Sequence, residues 1–496
     1  MRRIPKPRDV FDRDAEWDDL VAFASSPGPG LRLGIVSGRR RQGKSFLLRR
    51  LCEATSGIYA MALEQDRVPA LTRFAEAVAA AVRVGPGSLR FDGWDAALRT
   101  ALDMGPQRGA SPRLVVIDEL PYLLRHSPEL PSVIQEIYDD ARHHKVPAGR
   151  LILCGSALSV MTELLSGTRA LRGRAVLDQL IRPFDYRTSR RFWEIDDPQV
   201  AFAVDAVLGG TPGYRDLIDA PPPKRLTGLG RWLAHHVLNP GHALFGEADY
   251  LLREDPRVSD RALYHSVLGA ISEGARTPAA IAQRLGRPDR ALSHPLEVLR
   301  SAGFIRRDDD VLLQRRPTIT VADPIVRFQQ LVVRPRLAQF EERRAEEAWS
   351  GAAATFSSNI LGPHFETLAR TWCGRFASEE TLGAPAGEVG RTVVNDRSGR
   401  ARHEVDVVML APGQRRQSRQ ATITALGEAK ASSKALGLPL LDRLERIRDL
   451  LGRRADVEGT RLLIFGRAGF DRALTAAARM RADVVLVDLD RLYDGE

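Results

Sequence analysis

Short apolar runs at residues 31–37, 114–117 and 151–154 punctuate the first part of the chain, each closed by turn-forming residues. Between them lie longer stretches, such as 71–82 and 132–143, whose apolar positions recur every three or four residues. A short apolar run bounded by turns reads as a buried strand, and an apolar period near 3.6 reads as an amphipathic helix. Their alternation predicts a parallel sheet flanked by helices. The prolines at 221–223 interrupt this pattern and predict a change of subdomain. Beyond them, 263–271, 278–285 and 291–302 read as three helices, the second opened by Thr277. A short hairpin from Gly303 to near Val321 completes the outline of a winged helix. A polar helix is expected over 339–349, followed by a helix at 363–373 and strands at 404–410, 422–429 and 462–465.

At 496 residues the chain is too long for one ordinary core, and about three domains are expected. Hydrophobic residues make up 44%, a globular proportion, and no apolar run reaches the roughly 18 residues a transmembrane helix needs. The opening Met1-Arg2-Arg3-Ile4-Pro5-Lys6 is followed by no apolar stretch, so no signal peptide is expected. Cys52, Cys154 and Cys373 are isolated and odd in number, which excludes a disulfide framework and fits a reducing cytoplasm. The formal charge of +10 favours anionic partners such as nucleic acid, although a solvated basic surface carries the same signature. Nearly all the basic residues are arginine. The lysines are Lys6, Lys44, Lys145, Lys224, Lys430 and Lys434, and two of them fall in the motifs that carry chemistry.

The first motif is Gly38-Arg39-Arg40-Arg41-Gln42-Gly43-Lys44-Ser45, a G-x-x-x-x-G-K-S loop between a strand-like run and a helix start. Its glycines let backbone N–H groups face phosphates, and the helix N-terminus adds a positive dipole end. Lys44 is expected to reach the β and γ phosphates of ATP, and the Ser45 hydroxyl to ligate Mg2+. The run 114–117 ends in Asp118-Glu119, where Asp118 is expected to hold the magnesium and Glu119 to polarise the attacking water. The run 151–154 ends in Gly155-Ser156, where Ser156 is a candidate γ-phosphate sensor or a plain strand-end serine. Arg172 and Arg174 are candidates for an arginine finger on a neighbouring subunit's ATP, or surface residues.

Phe11-Asp12-Arg13-Asp14-Ala15-Glu16, the loop 38–45, Ile117-Asp118-Glu119-Leu120-Pro121-Tyr122-Leu123, Cys154-Gly155-Ser156 and Gly209-Gly210-Thr211-Pro212-Gly213-Tyr214 occur in that order. The series resembles the archaeal-type ATPase family, a prokaryotic branch near the AAA+ and STAND NTPases. The resemblance implies a nucleotide-sensing element at Gly210-Thr211-Pro212 that closes on the nucleotide from a lid. Leu251-Leu252-Arg253-Glu254, Asp323-Pro324 and Arg327-Phe328 continue it through the winged helix. Ser45 stands where threonine is commoner in the family, and both side chains carry the hydroxyl. The terminal part resembles the domain of unknown function that often follows such ATPases.

That terminal part holds a second constellation. Asp406 lies in His403-Glu404-Val405-Asp406, and Glu428 and Lys430 lie in Gly427-Glu428-Ala429-Lys430. On a strand, residues two apart share a face, so Glu428 and Lys430 point together and Asp406 can oppose them from an adjacent strand. With Glu366 on the upstream helix, the set resembles the PD-(D/E)xK nuclease superfamily. Such carboxylates can hold Mg2+ at a scissile phosphate, with Lys430 positioning the nucleophile, or the fold can serve binding alone.

The fold class expected is α/β: a P-loop NTPase core with a parallel sheet at 1–220, a helical lid or connector at 221–262, a winged helix at 263–335, a helical linker at 336–355, and a restriction-endonuclease-like domain at 356–496. In the winged helix, Arg287, Arg290, Ser293 and His294 lie at or near the start of the recognition helix, and Arg306, Arg307, Arg315 and Arg316 in or near the wing. Two functions are compatible with these residues. One is an ATPase acting on DNA, with or without metal-dependent cleavage. The other is a signalling NTPase that recruits a protein partner through non-catalytic appended domains. Either could work as a homo-oligomer.

Overall fold

The computed structural model describes residues 4–496 except 29, 104–112, 145–148, 168, 315–316, 397 and 419. The amino-terminal unit is built on five parallel strands: β1 (Arg32–Ser37), β2 (Ile58–Met61), β3 (Leu114–Asp118), β4 (Arg150–Gly155) and β5 (Ala175–Leu180). Their order is β2-β3-β4-β1-β5, so β4 separates the strand that enters the glycine loop from the strand that ends in Asp118. Helices cover both faces, which is why β1, β3 and β4 are apolar at nearly every position. The period-2 alternation divides them between two cores. Leu33, Ile35, Val115, Ile117, Leu151 and Leu153 face one, and Val36, Val116, Ile152 and Cys154 face the other, which also takes Trp17 and Leu48.

The edge strands β2 and β5 are absent from the sequence expectation. The side chains of β5 alternate between half-buried and exposed, with none fully buried, and β2 has four residues. Neither carries the continuous apolar signal of a strand buried on both faces.

A second core begins at Tyr186 and continues through Tyr493. Its hub is the helix Pro198–Leu208, in which every residue from Val200 to Leu208 is buried. The change of core therefore comes between Ile181 and Tyr186, ahead of the prolines at 221–223. The winged helix forms as expected. Its helices are Arg261–Ser272, Pro278–Leu285 with the Thr277 side chain capping Ala280, and Ser293–Ser301, and its hairpin pairs β6 (Ile305–Asp308) with β7 (Thr318–Val321). The single polar helix expected at 339–349 is two helices, Leu337–Glu341 and Ala345–Thr355. Arg343 sits between them at φ 64°, and the Arg343 and Arg344 N–H groups return to Phe340 and Gln339, which ends the first helix.

The terminal unit carries a mixed sheet ordered β12-β11-β10-β9-β8, formed by β8 (Val389–Asp396), β9 (Ala401–Leu410), β10 (Ile423–Lys430), β11 (Arg461–Gly466) and β12 (Val484–Val487). β9 and β10 are antiparallel neighbours, with Gly427 opposite Val407. The helix Gly362–Arg375 packs against this sheet on one side and the hub helix on the other. Among the described residues no helix is long and apolar enough to cross a membrane.

Gly210 joins the two units closely. A Cβ there would lie 1.9 Å from the Phe184 carbonyl oxygen, and the Phe184 N–H donates to the Gly210 carbonyl at 2.8 Å. Gly210→Ala is expected to cost about 1–3 kcal/mol through this backbone clash. Thermal unfolding should show a midpoint lowered by several degrees, and an unchanged midpoint would show that the contact yields freely.

Candidate functional site

β1 delivers the chain into the loop at Gly38, whose φ is 152° and where a Cβ would meet the Ile181 carbonyl at 2.4 Å. Only glycine fits that position. Gly43, at φ 89°, caps the helix Lys44–Thr55, whose free N–H groups open into a cavity of about 500 Å3. The cavity is lined by the loop from Arg40 to Ser45, by Glu119, and by Pro212 and Gly213. Lys44 is buried, and its ammonium donates to the Arg39 carbonyl at 2.9 Å. The Arg39 N–H donates to Gln42 Oε1, also at 2.9 Å, so the loop is braced from within. The amino-terminal unit is a P-loop NTPase fold.

Asp118 has no exposed surface. One carboxylate oxygen accepts from the Tyr59 hydroxyl at 2.5 Å and the other from the Glu119 N–H at 2.9 Å. Burial and the Asp118 charge push the Tyr59 hydroxyl well above its ordinary value, so it stays a donor. Glu119 adopts φ 54°, which ends β3 abruptly and turns its side chain into the cavity. The Ser156 hydroxyl donates to Glu119 Oε2 at 3.0 Å. Ser156 thus holds the glutamate and does not line the cavity itself. The donor set fits a hard cation such as Mg2+: an aliphatic hydroxyl at Ser45 and a fully buried carboxylate at Asp118, both oxygen ligands.

Pro212 and Gly213, which follow the hub helix, form part of the cavity wall. The Gly213 N–H donates to the Arg41 carbonyl at 2.9 Å, and a Cβ on Gly213 would come within 2.7 Å of the Arg41 Cβ. The side chains of the three loop arginines leave the loop for later segments. Arg39 pairs with Asp323 at 2.5 Å and lies over the Phe304 ring. Arg40 pairs with Glu254 at 2.5 Å, and Arg41 chelates Glu247 at 2.9 and 3.2 Å. Their backbone belongs to the candidate nucleotide loop, and their side chains fasten it to the lid and the winged helix.

Sequence reasoning missed the opposite wall. Phe11, Phe184 and Phe192 form a mutually edge-on or tilted cluster with centroids 5.3–5.8 Å apart, and all three line the cavity. Arg13 lies over Phe184. Phe11 and Arg13 belong to a segment whose resemblance to the family was the available signal; Phe184 and Phe192 lie outside every motif. Arg174 is bound to Asp139 through both carboxylate oxygens and donates to the Ala170 carbonyl, while Arg172 donates to the Gly167 carbonyl. Neither lines its own chain's cavity.

The terminal unit brings its acids together. Lys430 Nζ lies 2.6 Å from Glu428 Oε1 and 3.7 Å from Asp406 Oδ2. Asp406 also accepts from the Ala429 N–H at 2.9 Å, and Arg443 donates to Glu428 Oε1 at 2.8 Å. Glu428 Oε2 is buried with no hydrogen-bond partner, an atom suited to a cation ligand. Glu366 enters from the helix Gly362–Arg375, where burial first and Asp406 second raise its pKa. The oxygens of Glu366, Asp406 and Glu428 are not all within 4.8 Å of one another; among the described residues only Asp219, His235 and His236 converge so tightly.

In the winged helix, Arg287, Arg290, Ser293 and His294 are exposed. Arg306 and Arg307 pair with Asp308 and Asp309 of the wing. Arg315 and Arg316 lie outside the described residues. The domain also touches the amino-terminal unit, since a Cβ on Gly303 would lie 3.2 Å from Leu158.

Residues 266–308 match the family described as a helix-turn-helix domain. An uncharacterized protein of Methanocaldococcus jannaschii is 24% identical over 312 residues, which span 62% of this chain and 65% of that relative. Among solved structures, a Walker-type ATPase of Pyrococcus abyssi is similar at 21% identity and a TM-score of 0.48, covering 66% of this chain and 99% of its own. The ORC2 protein of Aeropyrum pernix is similar at 16% identity and a TM-score of 0.39, covering 71% and 97%. The fold assignment rests on the sheet order and the loop geometry above.

The terminal acids carry a measurable cost. Burial and the neighbouring Asp406 raise the Glu428 pKa, against the pull of Lys430 and Arg443. A carboxyl whose pKa is higher folded than unfolded binds its proton more tightly in the folded state. Stability therefore falls as pH rises through the raised value. Glu428→Gln is expected to unfold at a higher temperature than the parent at pH 8, with the difference vanishing near pH 4. A variant that is less stable at pH 8 would show that Lys430 and Arg443 outweigh the burial.

Proposed function

We propose that this chain is an ATP-binding and ATP-hydrolysing switch of the AAA+ type that acts on DNA through its appended domains. The reading is carried by one observation: Lys44, Glu119 and Pro212, from three distant segments, converge on the cavity at the P-loop helix. In this reading the loop N–H groups and Lys44 bind the phosphates, with Phe11, Phe184 and Phe192 beside the base. Ser45 and Asp118 hold Mg2+, which supplies charge neutralisation across the β and γ phosphates. Glu119 orients the attacking water, and Ser156 fixes the glutamate's rotamer. Pro212 reports nucleotide occupancy to the lid. Arg174 serves a neighbouring subunit's nucleotide in a homo-oligomer after release from Asp139.

The helix-turn-helix match, the charge of +10 and the exposed Arg287 and Arg290 support DNA as the partner. Asp406, Glu428 and Lys430, with Glu366 beside them, support a nuclease-like terminal site in which the carboxylates hold Mg2+ and Lys430 steadies charge developing on the phosphate. One observation favours the signalling alternative: the winged helix is fastened to the P-loop through Arg39–Asp323, as a domain that transmits state to a protein partner would be.

Lys44→Ala is expected to abolish ATP binding in a fluorescent-nucleotide titration. Glu119→Gln should keep binding and lower turnover about 100-fold, in the range of a lost general base; normal turnover would move the water-handling role elsewhere. With DNA and Mg2+, cleavage by the parent and none by Lys430→Ala would support the nuclease-like reading. No cleavage by the parent in any nucleotide state would leave the terminal domain as a binder.

A further inference from the structure

A cavity of about 350 Å3 lies between the winged helix and the terminal unit, within the usual size range of ligand pockets. Its lining holds seven arginines and three acids. Five of the arginines come from five separate places: Arg276 ahead of the second winged-helix helix, Arg306 on β6, Arg391 on β8, Arg327 on the helix Pro324–Phe328 and Arg370 on the helix Gly362–Arg375. Glu366 forms part of the same wall and carries the cavity to the edge of the Asp406–Glu428–Lys430 cluster.

Four of the seven arginines have a carboxylate beside them, Arg306 with Asp308 at 2.7 Å, Arg370 with Glu366 at 3.9 Å, Arg375 with Asp185 at 3.3 Å and Arg416 with Glu388 at 2.9 Å, which leaves Arg276, Arg327 and Arg391 without an ion pair among the described residues. Arg327 donates to the Val321 carbonyl at 2.6 Å and Arg370 to the Asp406 carbonyl at 2.8 Å, both uncharged acceptors. Arg391 donates to the Thr318 hydroxyl. The Arg276 guanidinium has no hydrogen-bond or ion-pair partner among the described residues, and Arg306 has Asp308. Burial first, then Arg306 and Arg276, lowers the Arg327 pKa to about 10, which keeps that guanidinium cationic at neutral pH. Like charges held together against low-dielectric walls focus a field that recruits an anion. Guanidinium forks match phosphate oxygens bidentately.

We infer that this arginine-lined cleft holds the phosphate backbone of a nucleic-acid strand and sets the adjoining phosphodiester against the Glu366, Asp406, Glu428 and Lys430 site. The inference rests on the DNA-binding reading above and adds the path of the strand. It places the strand on the wing and on the terminal domain together, so that neither unit alone forms the site.

The test is fluorescence anisotropy of a labelled oligonucleotide with the full chain, in EDTA to prevent cleavage, over a range of salt. Arg276→Ala is expected to weaken binding several-fold and Arg276→Ala/Arg306→Ala at least 10-fold. The slope of log affinity against log salt should shrink by about 0.7–0.9 for each arginine lost. Arg276→Lys should retain most of the affinity. Fluorescent-ATP binding should be unchanged in each variant, which shows that the chain is folded. Parental affinity and slope in both alanine variants would overturn the inference and leave the DNA reading standing. No binding by the parent would overturn both. Displacement of DNA by micromolar pyrophosphate would assign the cleft to a free phosphate compound, and displacement by poly-glutamate at lower concentrations than by unlabelled DNA would assign it to an acidic peptide; either outcome overturns the inference.

Discussion

Glu247 has no exposed surface, and both of its carboxylate oxygens take hydrogen bonds from Arg41, 206 residues earlier in the chain. Removing either partner would leave the other's charge poorly compensated in a protein interior, at a cost of several kcal/mol. Arg41 sits inside the glycine loop that follows β1, at φ 64°. Its neighbours follow the same plan, since Arg40 reaches Glu254 and Arg39 reaches Asp323. Three successive loop residues therefore take their counter-charges from three later segments. The loop's shape, including the position of Lys44, depends on the lid and the winged helix being docked.

A second line of contacts runs from the cavity at the P-loop toward the terminal unit. Pro212 follows closely on the hub helix Pro198–Leu208, whose last turns are entirely buried. Asp205 on that helix meets His364 at 2.9 Å, and both are buried. His364 lies two residues before Glu366 on the helix Gly362–Arg375. The helix that leads to the cavity-lining Pro212 and the helix that carries a terminal acid are thus bonded through one buried pair.

Much of the architecture was legible from residue patterns because the strands that matter most are buried on both faces. β1, β3 and β4 announce themselves as apolar runs, and the loop and acids at their ends carry the P-loop signature. The edge strands β2 and β5 did not, because half of their side chains face away from the core. The split of the helix expected at 339–349 was hidden because one arginine in a left-handed conformation leaves no compositional trace. Ser156 was legible as a strand-end hydroxyl, but its hydrogen bond to Glu119 depends on the order of β3 and β4 in the sheet.

The sequence by itself determined the local chemistry: a glycine loop between a strand and a helix, acids at strand ends, and an E-x-K pair whose spacing puts Glu428 and Lys430 on one face. These follow from backbone periods and from residue types within a few positions of one another. Only the tertiary structure decided which distant groups meet. It joined the loop arginines to Glu247, Glu254 and Asp323, packed Phe11 edge-on against Phe184 and Phe192, and gathered Arg276, Arg306, Arg327, Arg370 and Arg391 around one cleft. The physical reason is that opposite charges and aromatic faces pair across any sequence distance once burial makes solitude costly, and local patterns hold no record of the partner.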